Sequence, residues 1–320
     1  MKPIASILIP TYNRAGMIEA AIESAMAQSE QNIEIVVVDN ASTDDSWARI
    51  EALAQKDRRI RAVRNSSCIP PVENWRRCVN IANGLFAKFL WSDDLLEPDC
   101  IKQMAAQLLR PDIGFVMSAV QLIDDHATHL QVLYRLGMTE DRPSLEFIEG
   151  VLLEKNYPVS PGCALFRTAD LRQHLASQIP NQFESDFAAH AIGIDVLLML
   201  RIAHHYKRFH FIGTPLCLFR DHHGSITAST QRRDLLILYS IAKAYFVSEY
   251  PQRTSVARKF NTRLWLHMWR HRSVRYPIRS VQDFYPVEAP GAKVGLSWVY
   301  LIDCALQLIS RQLARRVRPC

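Results

Sequence analysis

The sequence predicts an α/β fold, in which a doubly wound and mainly parallel sheet is flanked by helices and followed by a helical extension. Two observations predict this fold. Within the first 90 residues, short β-branched apolar runs alternate with segments whose apolar residues recur at helical spacing. The last ninety residues read as mostly helical and carry no recognisable motif. With 320 residues, 48% of them hydrophobic, the chain can build one large domain or one and a half ordinary ones.

The first strand and helix are predicted from residues 5–26. Residues 5–9 form a short apolar run that ends at Pro10, which cannot donate to a sheet ladder. Asn13 is in the position of an N-cap. It precedes apolar residues at helical spacing, namely Ile18, Ile22, Ala25 and Met26.

The following elements repeat this alternation. Residues 33–38 are β-branched and nearly uninterrupted, which is typical of a buried strand. Asp44 is predicted to cap a second helix, which carries Trp47, Ile50, Leu53 and Ala54. A weaker strand at residues 60–65, a helix at 73–83 and a strand at 85–90 follow.

Composition excludes several classes of protein. Residues 253–320 hold 13 Lys and Arg against 3 Asp and Glu, which leaves 25 (38 − 13) against 29 (32 − 3) in the first 252 residues. A mildly acidic body with a basic tail is not typical of a nucleic-acid-binding core, so we expect no nucleic-acid partner. Seven scattered cysteines without a CxxC pair indicate reduced thiols. No signal peptide or spanning segment is recognisable, so we expect a cytoplasmic protein.

Three acidic residues follow predicted strands. Asp39 comes directly after the second strand, and Asp93 and Asp94 follow the strand at 85–90. Ligands of open α/β sheets bind outside the carboxyl ends of the strands, so these acids should share one rim. Two adjacent like charges in a confined place require a metal ion, an arginine or a proton. The chain has no GxGxxG or GxxxxGK[ST] motif, so a phosphate-bearing ligand here would need Mg²⁺ or Mn²⁺.

Six segments in order together resemble the family 2 glycosyltransferases, which have the GT-A fold of nucleotide-diphospho-sugar transferases. They are ASILIPTYNR, IEIVVVDNASTDDS, FLWSDDLLEPD, VSPGCALFR, GIDVLLMLRIAHHY and TPLCLFRDHHGSIT. The resemblance covers about residues 3–230. It implies a single Rossmann-like mixed sheet in a domain spanning residues 1–230, with a nucleotide-binding half at 1–120 and an acceptor half at 121–230. Residues 231–320 would then be a basic, mostly helical extension.

The resemblance also implies an activity. An inverting transferase would move a sugar from a nucleoside diphosphate donor, UDP-sugar by default, to a hydroxyl of a carbohydrate or lipid-linked acceptor in cell-surface polysaccharide or glycan synthesis. Such a single displacement needs one base and no protein nucleophile. Asp195, in GIDVLLMLR, matches the family's catalytic base. An Asp at a helix start is also ordinary N-terminal chemistry.

The resemblance assigns further residues to the donor and to a metal. Asp39 would accept a hydrogen bond from the base, and Arg76 would reach a phosphate or merely solvate its helix. Asp93, Asp94 and His222 would bind Mn²⁺ or Mg²⁺, with a neutral imidazole completing the shell. The full set of expected donor contacts is Pro10, Thr11, Tyr12, Arg14, Asp39, Arg76, Ser92, Asp93 and Arg220.

The chain departs from the family pattern at two positions. The familiar spelling of the acidic motif is D-x-D-D, and Trp91 occupies its first acidic place. Ile194 stands where an acid commonly precedes the base. These departures keep a second class open, a non-catalytic nucleotide-sugar-binding or scaffold protein of the same fold. A nucleotidyltransferase is a weaker alternative, because the loop PTYNRAGM lacks a Gly-rich basic sequence.

The end of the chain predicts an amphipathic helix. Its apolar side would carry Trp298, Val299, Ile302, Leu306, Ile309, Leu313 and Val317, and Arg315, Arg316 and Arg318 close the segment. Such a helix could lie on an anionic membrane, which would make the protein peripheral at the inner face. It could equally dock on the catalytic domain or form a homodimer.

Overall fold

The computed structural model describes residues 2–222, 230–270, 273–287, 289, 295–304 and 306. The chain divides into two compact units. The first unit comprises residues 1–179 and 186–230, and the second comprises residues 180–185 and 231–320.

The first unit is built on one ten-stranded mixed sheet. Its strands are β1 (Ala5–Thr11), β2 (Ile33–Asp39), β3 (Ile60–Arg64), β4 (Phe86–Phe89), β5 (Leu95–Leu96), β6 (Ile113–Ile123), β7 (His129–Leu133), β8 (Glu140–Pro143), β9 (Ala164–Arg167) and β10 (Arg208–Arg220). The order is β3-β2-β1-β4-β9-β6-β10-β5, with β7 on β6 and β8 on β10. β3, β2, β1 and β4 are parallel, whereas β9 is antiparallel to both neighbours. The predicted mixed α/β sheet is confirmed.

The parallel part of the sheet brings the ends of three strands to one level. Thr11 is paired with Asp39, and Asp39 is paired with Arg64. β1 and β2 are mostly apolar and buried along nearly their whole length, and Ile7, Leu8 and Ile9 have no solvent exposure. β-branched residues suit such doubly buried strands because they pack well on a pleated surface. The polar side chains of Thr11, Asp39 and Arg64 therefore lie together at one end of this part of the sheet.

Helices cover the sheet. In the first unit they are α1 (Ile18–Met26), α2 (Ser46–Lys56), α3 (Pro71–Ile81), α4 (Cys100–Leu108), α5 (Ser144–Leu152), α6 (Thr168–His174), α7 (Phe187–His190) and α8 (Ile194–His205). The predicted N-cap at Asn13 is wrong, because α1 begins at Ile18. Asn13 has a positive φ of 50°, and its side-chain oxygen accepts a hydrogen bond from Thr43 N. Asn13 therefore lies in the loop after β1, and its side chain holds this loop to the loop after β2.

β10 carries the chain back to the acidic turn after β4. It runs parallel to β6, with Arg220 opposite Ile123. Near its end it also pairs with β5, with Leu218 opposite Leu95. Because β5 follows Asp93 and Asp94 directly, residues 220–222 arrive beside the two aspartates.

The second unit is helical in its described part. It contains α9 (Arg232–Glu249), α10 (Thr254–Arg270) and helical residues at 298–304 and 306. Ile309, Leu313, Val317, Arg315, Arg316 and Arg318, which complete the predicted amphipathic helix, lie outside the described residues. Among the described helices, none combines the length and the hydropathy that crossing a bilayer requires.

Candidate functional site

Asp39, at the end of β2, forms the floor of a polar rim. Its side chain has no solvent exposure. Oδ2 accepts a hydrogen bond from Ser42 N at 3.0 Å and lies 3.3 Å from Arg64 Nε. Oδ1 is buried and has no hydrogen-bond partner among the described residues. A buried acceptor without a donor is costly, so Oδ1 is the atom of this rim that a ligand N–H would satisfy.

The loop after β1 is fastened to the loop after β2. Asn13 N donates to Ser42 Oγ at 2.9 Å, and Arg14 N donates to Ser46 Oγ at 2.8 Å. The backbone of Ala41 has a positive φ of 57°. Non-glycine residues with positive φ concentrate in functional loops, where the surrounding hydrogen bonds hold them in place. These contacts fix the backbone of Asn13 and Arg14 to the segment that follows Asp39.

A network of three buried amides supports the same rim. Asn65 Nδ2 donates to Asn40 Oδ1 at 2.7 Å and to Asn74 Oδ1 at 3.0 Å. Asn74 Nδ2 reaches Val38 O, and Arg77 donates to Asn65 Oδ1. The network joins β2, β3 and α3 next to Asp39. The sequence did not predict this network, because the three asparagine side chains meet only when the chain folds.

Asp93 lies between two cationic or basic side chains. His222 Nε2 is 2.9 Å from Asp93 Oδ2, and Arg14 Nε is 3.6 Å from the same oxygen. The Asp93 side chain keeps 18% of its exposure, whereas that of His222 keeps 7%. The structure thus brings together Asp93 and His222, two residues 129 positions apart that the family resemblance assigns to one metal ion.

Asp94 has a different environment from its neighbour. Its residue is 7% exposed, and Oδ1 accepts a hydrogen bond from Arg220 N at 2.9 Å. Burial, together with the charge of Asp93, raises the pKa of Asp94 well above its ordinary value. Asp93 and Asp94 thus differ in environment although they are adjacent, since Asp94 is the more buried of the two. Asp93 and His222 are close enough to share one ligand, and a metal role for Asp94 stays a prediction.

Arg220 holds the acidic turn in place. Its Nε donates to Asp93 O at 2.9 Å, and a terminal nitrogen donates to Asp124 O at 2.7 Å. These bonds are made to backbone carbonyls. They fix the turn at residues 91–94 to β10 and to the loop after β6, and the predicted donor contact of Arg220 stays a prediction.

Lys88 lies inside the sheet, beneath the acidic turn. It has no solvent exposure, and its ammonium donates to Phe89 O and Gly162 O. Its charge favours ionised Asp94 and so opposes the effect of burial there. A buried lysine is rare unless it is paired, and this one joins β4 to the turn at Pro161–Cys163. The strand pattern FAKF did not predict an inward-pointing lysine.

Trp91 fills the place of the family's first acid. The indole Nε1 donates to Ser160 Oγ at 3.1 Å, and the ring packs at 5.3 Å on Phe89 and at 4.9 Å on Trp75. A Cβ on Gly162 would come within 2.6 Å of Trp91 Nε1, so glycine is required there. The position thus anchors the turn at 161–163 instead of contacting a ribose or a metal as a carboxylate would.

Gly162→Ala is expected to lower the free energy of unfolding by about 1–3 kcal/mol, because overpacking forces the indole from its place. Trp91→Phe shortens the ring at the contact, and the double variant should recover part of the loss. Urea denaturation of the two single variants and the double variant measures the coupling. Additive losses would show that the two residues do not share this contact.

Asp195, the expected base, stands in the first turn of α8. Oδ1 accepts hydrogen bonds from Gly193 N at 3.0 Å and Val196 N at 2.8 Å. Just before α8, the chain turns through two residues with positive φ, Ala191 at 62° and Gly193 at 95°. Asp195 is half-buried, and its two hydrogen bonds to the backbone orient the carboxylate.

Tyr134 is a residue of this region that the sequence did not indicate. Burial, with Cys163 and Asp195 nearby, raises its pKa to about 12. Its φ of 56° is unusual for a bulky residue and indicates a constrained loop. A neutral tyrosine beside Asp195 can donate a hydrogen bond to a carboxylate or to a substrate hydroxyl.

The remaining predicted donor residues occupy varied positions. Pro10 and Thr11 are buried in β1, Ser92 is buried in the acidic turn, and Tyr12 exposes 44% of its surface. Arg76 donates to Leu175 O and lies 3.7 Å from Glu73. Its contacts hold α3 to the segment after α6, and its predicted reach to a phosphate stays untested.

The described residues offer few side chains that could bind a divalent cation at this site. Within the part of the chain that the structure describes, no group of three or more His, Cys, Asp or Glu side chains is arranged to hold a metal ion. Asp93 and His222 form a pair that fits one side of such an ion. Mg²⁺ is often held by only one or two carboxylates, with substrate phosphates and water completing its shell. The residues present therefore fit a cation that arrives with a diphosphate.

Comparison with known proteins identifies relatives of this architecture. The family model described as Glycosyl transferase family 2 matches residues 6–175. The crystal structure of S. aureus TarS 1-349 in complex with UDP superposes with a TM-score of 0.59 at 18% identity, covering 83% of this chain and 72% of that one. The complex with UDP-GlcNAc gives a TM-score of 0.61 at 17% identity, covering 83% and 73%. At this identity the likeness shows the GT-A fold alone.

Sequence relatives cover different shares of the chain. The Escherichia coli protein WfaP, named as a UDP-Glc:alpha-D-GlcNAc-diphosphoundecaprenol beta-1,3-glucosyltransferase, is 40% identical over 91 residues, 28% of this chain and 36% of that protein. GlyG, a glycosyltransferase of Streptococcus pneumoniae, is 26% identical over 117 residues, 37% of this chain and 39% of that protein. These matches span little more than a third of each relative. EpsH of Bacillus subtilis is 27% identical over 271 residues, 83% of this chain and 75% of that protein.

Proposed function

Because the chain belongs to glycosyl transferase family 2, we propose that it transfers a sugar from a nucleoside diphosphate donor to an acceptor hydroxyl with inversion. One observation carries the proposal. The buried, unpartnered Oδ1 of Asp39 lies at the same rim as the charged group formed by Asp93, His222 and Arg14. One end of this rim suits the N–H of a base, and the other suits a diphosphate.

Asp39 supports a particular class of base. A carboxylate oxygen can only accept a hydrogen bond, so it favours a ring nitrogen that carries a proton. Uracil, thymine and guanine present such an N–H, whereas the corresponding nitrogen of cytosine is an acceptor. The names of the relatives favour uridine among these, since WfaP is named for UDP-Glc and TarS was crystallised with UDP.

The diphosphate would be neutralised at the other end of the rim. Arg14 supplies a guanidinium 3.6 Å from Asp93, and Asp93 and His222 would hold Mn²⁺ or Mg²⁺. A bound divalent ion supplies Lewis-acid stabilisation of the charge on the departing diphosphate. Arg220 and Lys88 act beneath this layer, where they fix the backbone of the acidic turn and of residue 162.

On the acceptor side, Asp195 would take the proton of the attacking hydroxyl. Its Oδ1 is held by Gly193 N and Val196 N, which orients the carboxylate. Tyr134, whose raised pKa keeps it protonated, would donate to the carboxylate or to the acceptor. Since a single displacement needs one base, inversion follows from this assignment. The acceptor proposed is a carbohydrate or a lipid-linked sugar, the latter because WfaP is named for such an acceptor.

A non-catalytic nucleotide-sugar-binding protein is the second candidate. Trp91 favours it, because the indole replaces a carboxylate and is engaged with Ser160. Under this alternative the chain would bind UDP-sugar but release no UDP in the presence of any acceptor. UDP release measured with UDP-glucose, Mn²⁺ and a panel of hexose acceptors separates the two functions.

Asp39→Asn is expected to weaken UDP binding by about 10–100-fold, because a hydrogen bond to a charged group contributes about 1.5–3 kcal/mol. The amide that replaces the carboxylate can donate, so CDP affinity should fall less or rise. Isothermal titration of both nucleotides against wild type and variant measures the change.

Asp44→Asn is the matched control for this titration. Asp44 lies in the same loop, and its carboxylate accepts from Ala15 N and Ser46 N. Because asparagine also caps well, nucleotide affinity should be unchanged. Equal UDP affinities for wild type and Asp39→Asn would refute base recognition by Asp39.

A further inference from the structure

The helical residues near the end of the described chain expose an apolar face. Trp298 is 70% exposed, Val299 81%, Ile302 60% and Leu306 60%. At 3.6 residues per turn these four side chains fall within an arc of about 100°. An exposed tryptophan among aliphatic residues is unusual for a helix of a globular unit, whose apolar side normally faces the core.

The other side of this helix is packed on its own unit. Ser297 N donates to Thr262 Oγ1 of α10 at 2.8 Å. Burial raises the pKa of Tyr300 to about 12, with Cys304 and Arg263 close by. Leu301 and Cys304 are half-buried. The helix is therefore held in one orientation, and the apolar face points outward because the opposite side is already used.

The sequence on either side of this face is strongly basic, and Arg258, Lys259 and Arg263 lie on α10, against which the helix packs. From residue 253 to the end the sequence holds 13 Lys and Arg against 3 Asp and Glu, a balance of +10. Asp303 is the single acid among residues 295–306. An apolar stripe in a basic region complements a surface that is apolar inside and negative outside.

We propose that the face formed by Trp298, Val299, Ile302 and Leu306 docks on an anionic lipid surface. A second copy of the chain is the other candidate occupant. A two-fold interface would bring the same basic region against itself, and like charges across an interface oppose association. Tryptophan also suits the boundary between water and acyl chains. Charge complementarity therefore selects the membrane.

The test is vesicle co-sedimentation of the full chain, with neither donor nor acceptor present, so its result is independent of the proposed transferase activity. Vesicles of phosphatidylcholine alone are compared with vesicles that also contain about 30% phosphatidylglycerol, at about 50 and about 500 mM NaCl. The Debye length is about 14 Å at the lower salt concentration and about 4 Å at the higher one, so the higher one screens the attraction. We expect partitioning onto the anionic vesicles at least tenfold stronger than onto neutral ones at low salt, and a marked loss at high salt.

The variant Trp298→Ser with Ile302→Ser should lower the partition coefficient about tenfold or more, because two large apolar side chains no longer enter the lipid. Met138→Ser is the matched control, since Met138 is 81% exposed but lies in the first unit. Thermal unfolding checks that all variants fold. Absence of binding to anionic vesicles, or equal binding by wild type and the double variant, would overturn the proposal. So would light scattering that shows a dimer which the double variant dissolves while vesicle binding persists.

Discussion

Asp195→Asn is expected to lower kcat for sugar transfer by about 10²–10⁴-fold, the usual contribution of a general base. The loss should fall on kcat and not on the affinity for UDP, because the proposed donor contacts, Asp39, Arg14 and Asp93, are left unchanged. Asparagine can still accept the bonds from Gly193 N and Val196 N, so the start of α8 should remain intact. Initial rates of UDP release, with a separate titration of UDP, measure both quantities.

The control separates catalysis from helix capping. Asp186 precedes α7 and accepts from Ala188 N and Ala189 N, the same kind of contact that Asp195 makes. Asp186→Asn should therefore leave both kcat and the melting temperature close to wild type. If Asp195→Asn also kept its rate, Asp195 would be an ordinary helix-start residue and the base would lie elsewhere.

The sequence was sufficient to locate the rim of the sheet. β1 and β2 are apolar runs with β-branched residues that end at Thr11 and Asp39, and parallel strands bring such ends to one edge. Asp39 and Asp93 were predicted from this pattern, and family membership and the GT-A fold are confirmed. The pairing of Asp93 with His222 came from the family resemblance, because no local pattern joins residues 129 positions apart.

Other parts of the site depend on tertiary contacts that periodicity cannot predict. The two adjacent aspartates look equivalent in sequence. In the structure Asp94 is buried directly before the two-residue strand β5, and its carboxylate accepts a hydrogen bond from Arg220 N. The strand pattern at residues 85–90 does not indicate that Lys88 is buried, with its ammonium satisfied by two backbone carbonyls. Tyr134 lies in a loop, and the neighbouring residues do not predict its positive φ.

Asp93→Asn is expected to lower kcat/KM at least about 100-fold at low Mn²⁺. The substitution removes a charged ligand of the proposed ion, and the loss should be partly restored by higher Mn²⁺. His222→Gln should also weaken the dependence on Mn²⁺, and the double variant should lose less than the two single losses combined, because the side chains lie 2.9 Å apart and act as one unit. Rates measured across a Mn²⁺ series give the apparent affinity for each variant.

Asp94→Asn provides the contrast within the same dipeptide. Asparagine resembles the protonated acid that burial favours at this position, and its oxygen can still accept from Arg220 N. The rate should therefore fall by no more than about tenfold, and the apparent Mn²⁺ affinity should stay near that of wild type. Equal losses for Asp93→Asn and Asp94→Asn would mean that both carboxylates bind the ion. The expected difference between the two variants rests on the burial of Asp94 and on the different contacts of the two carboxylates, since the residues are chemically identical and adjacent.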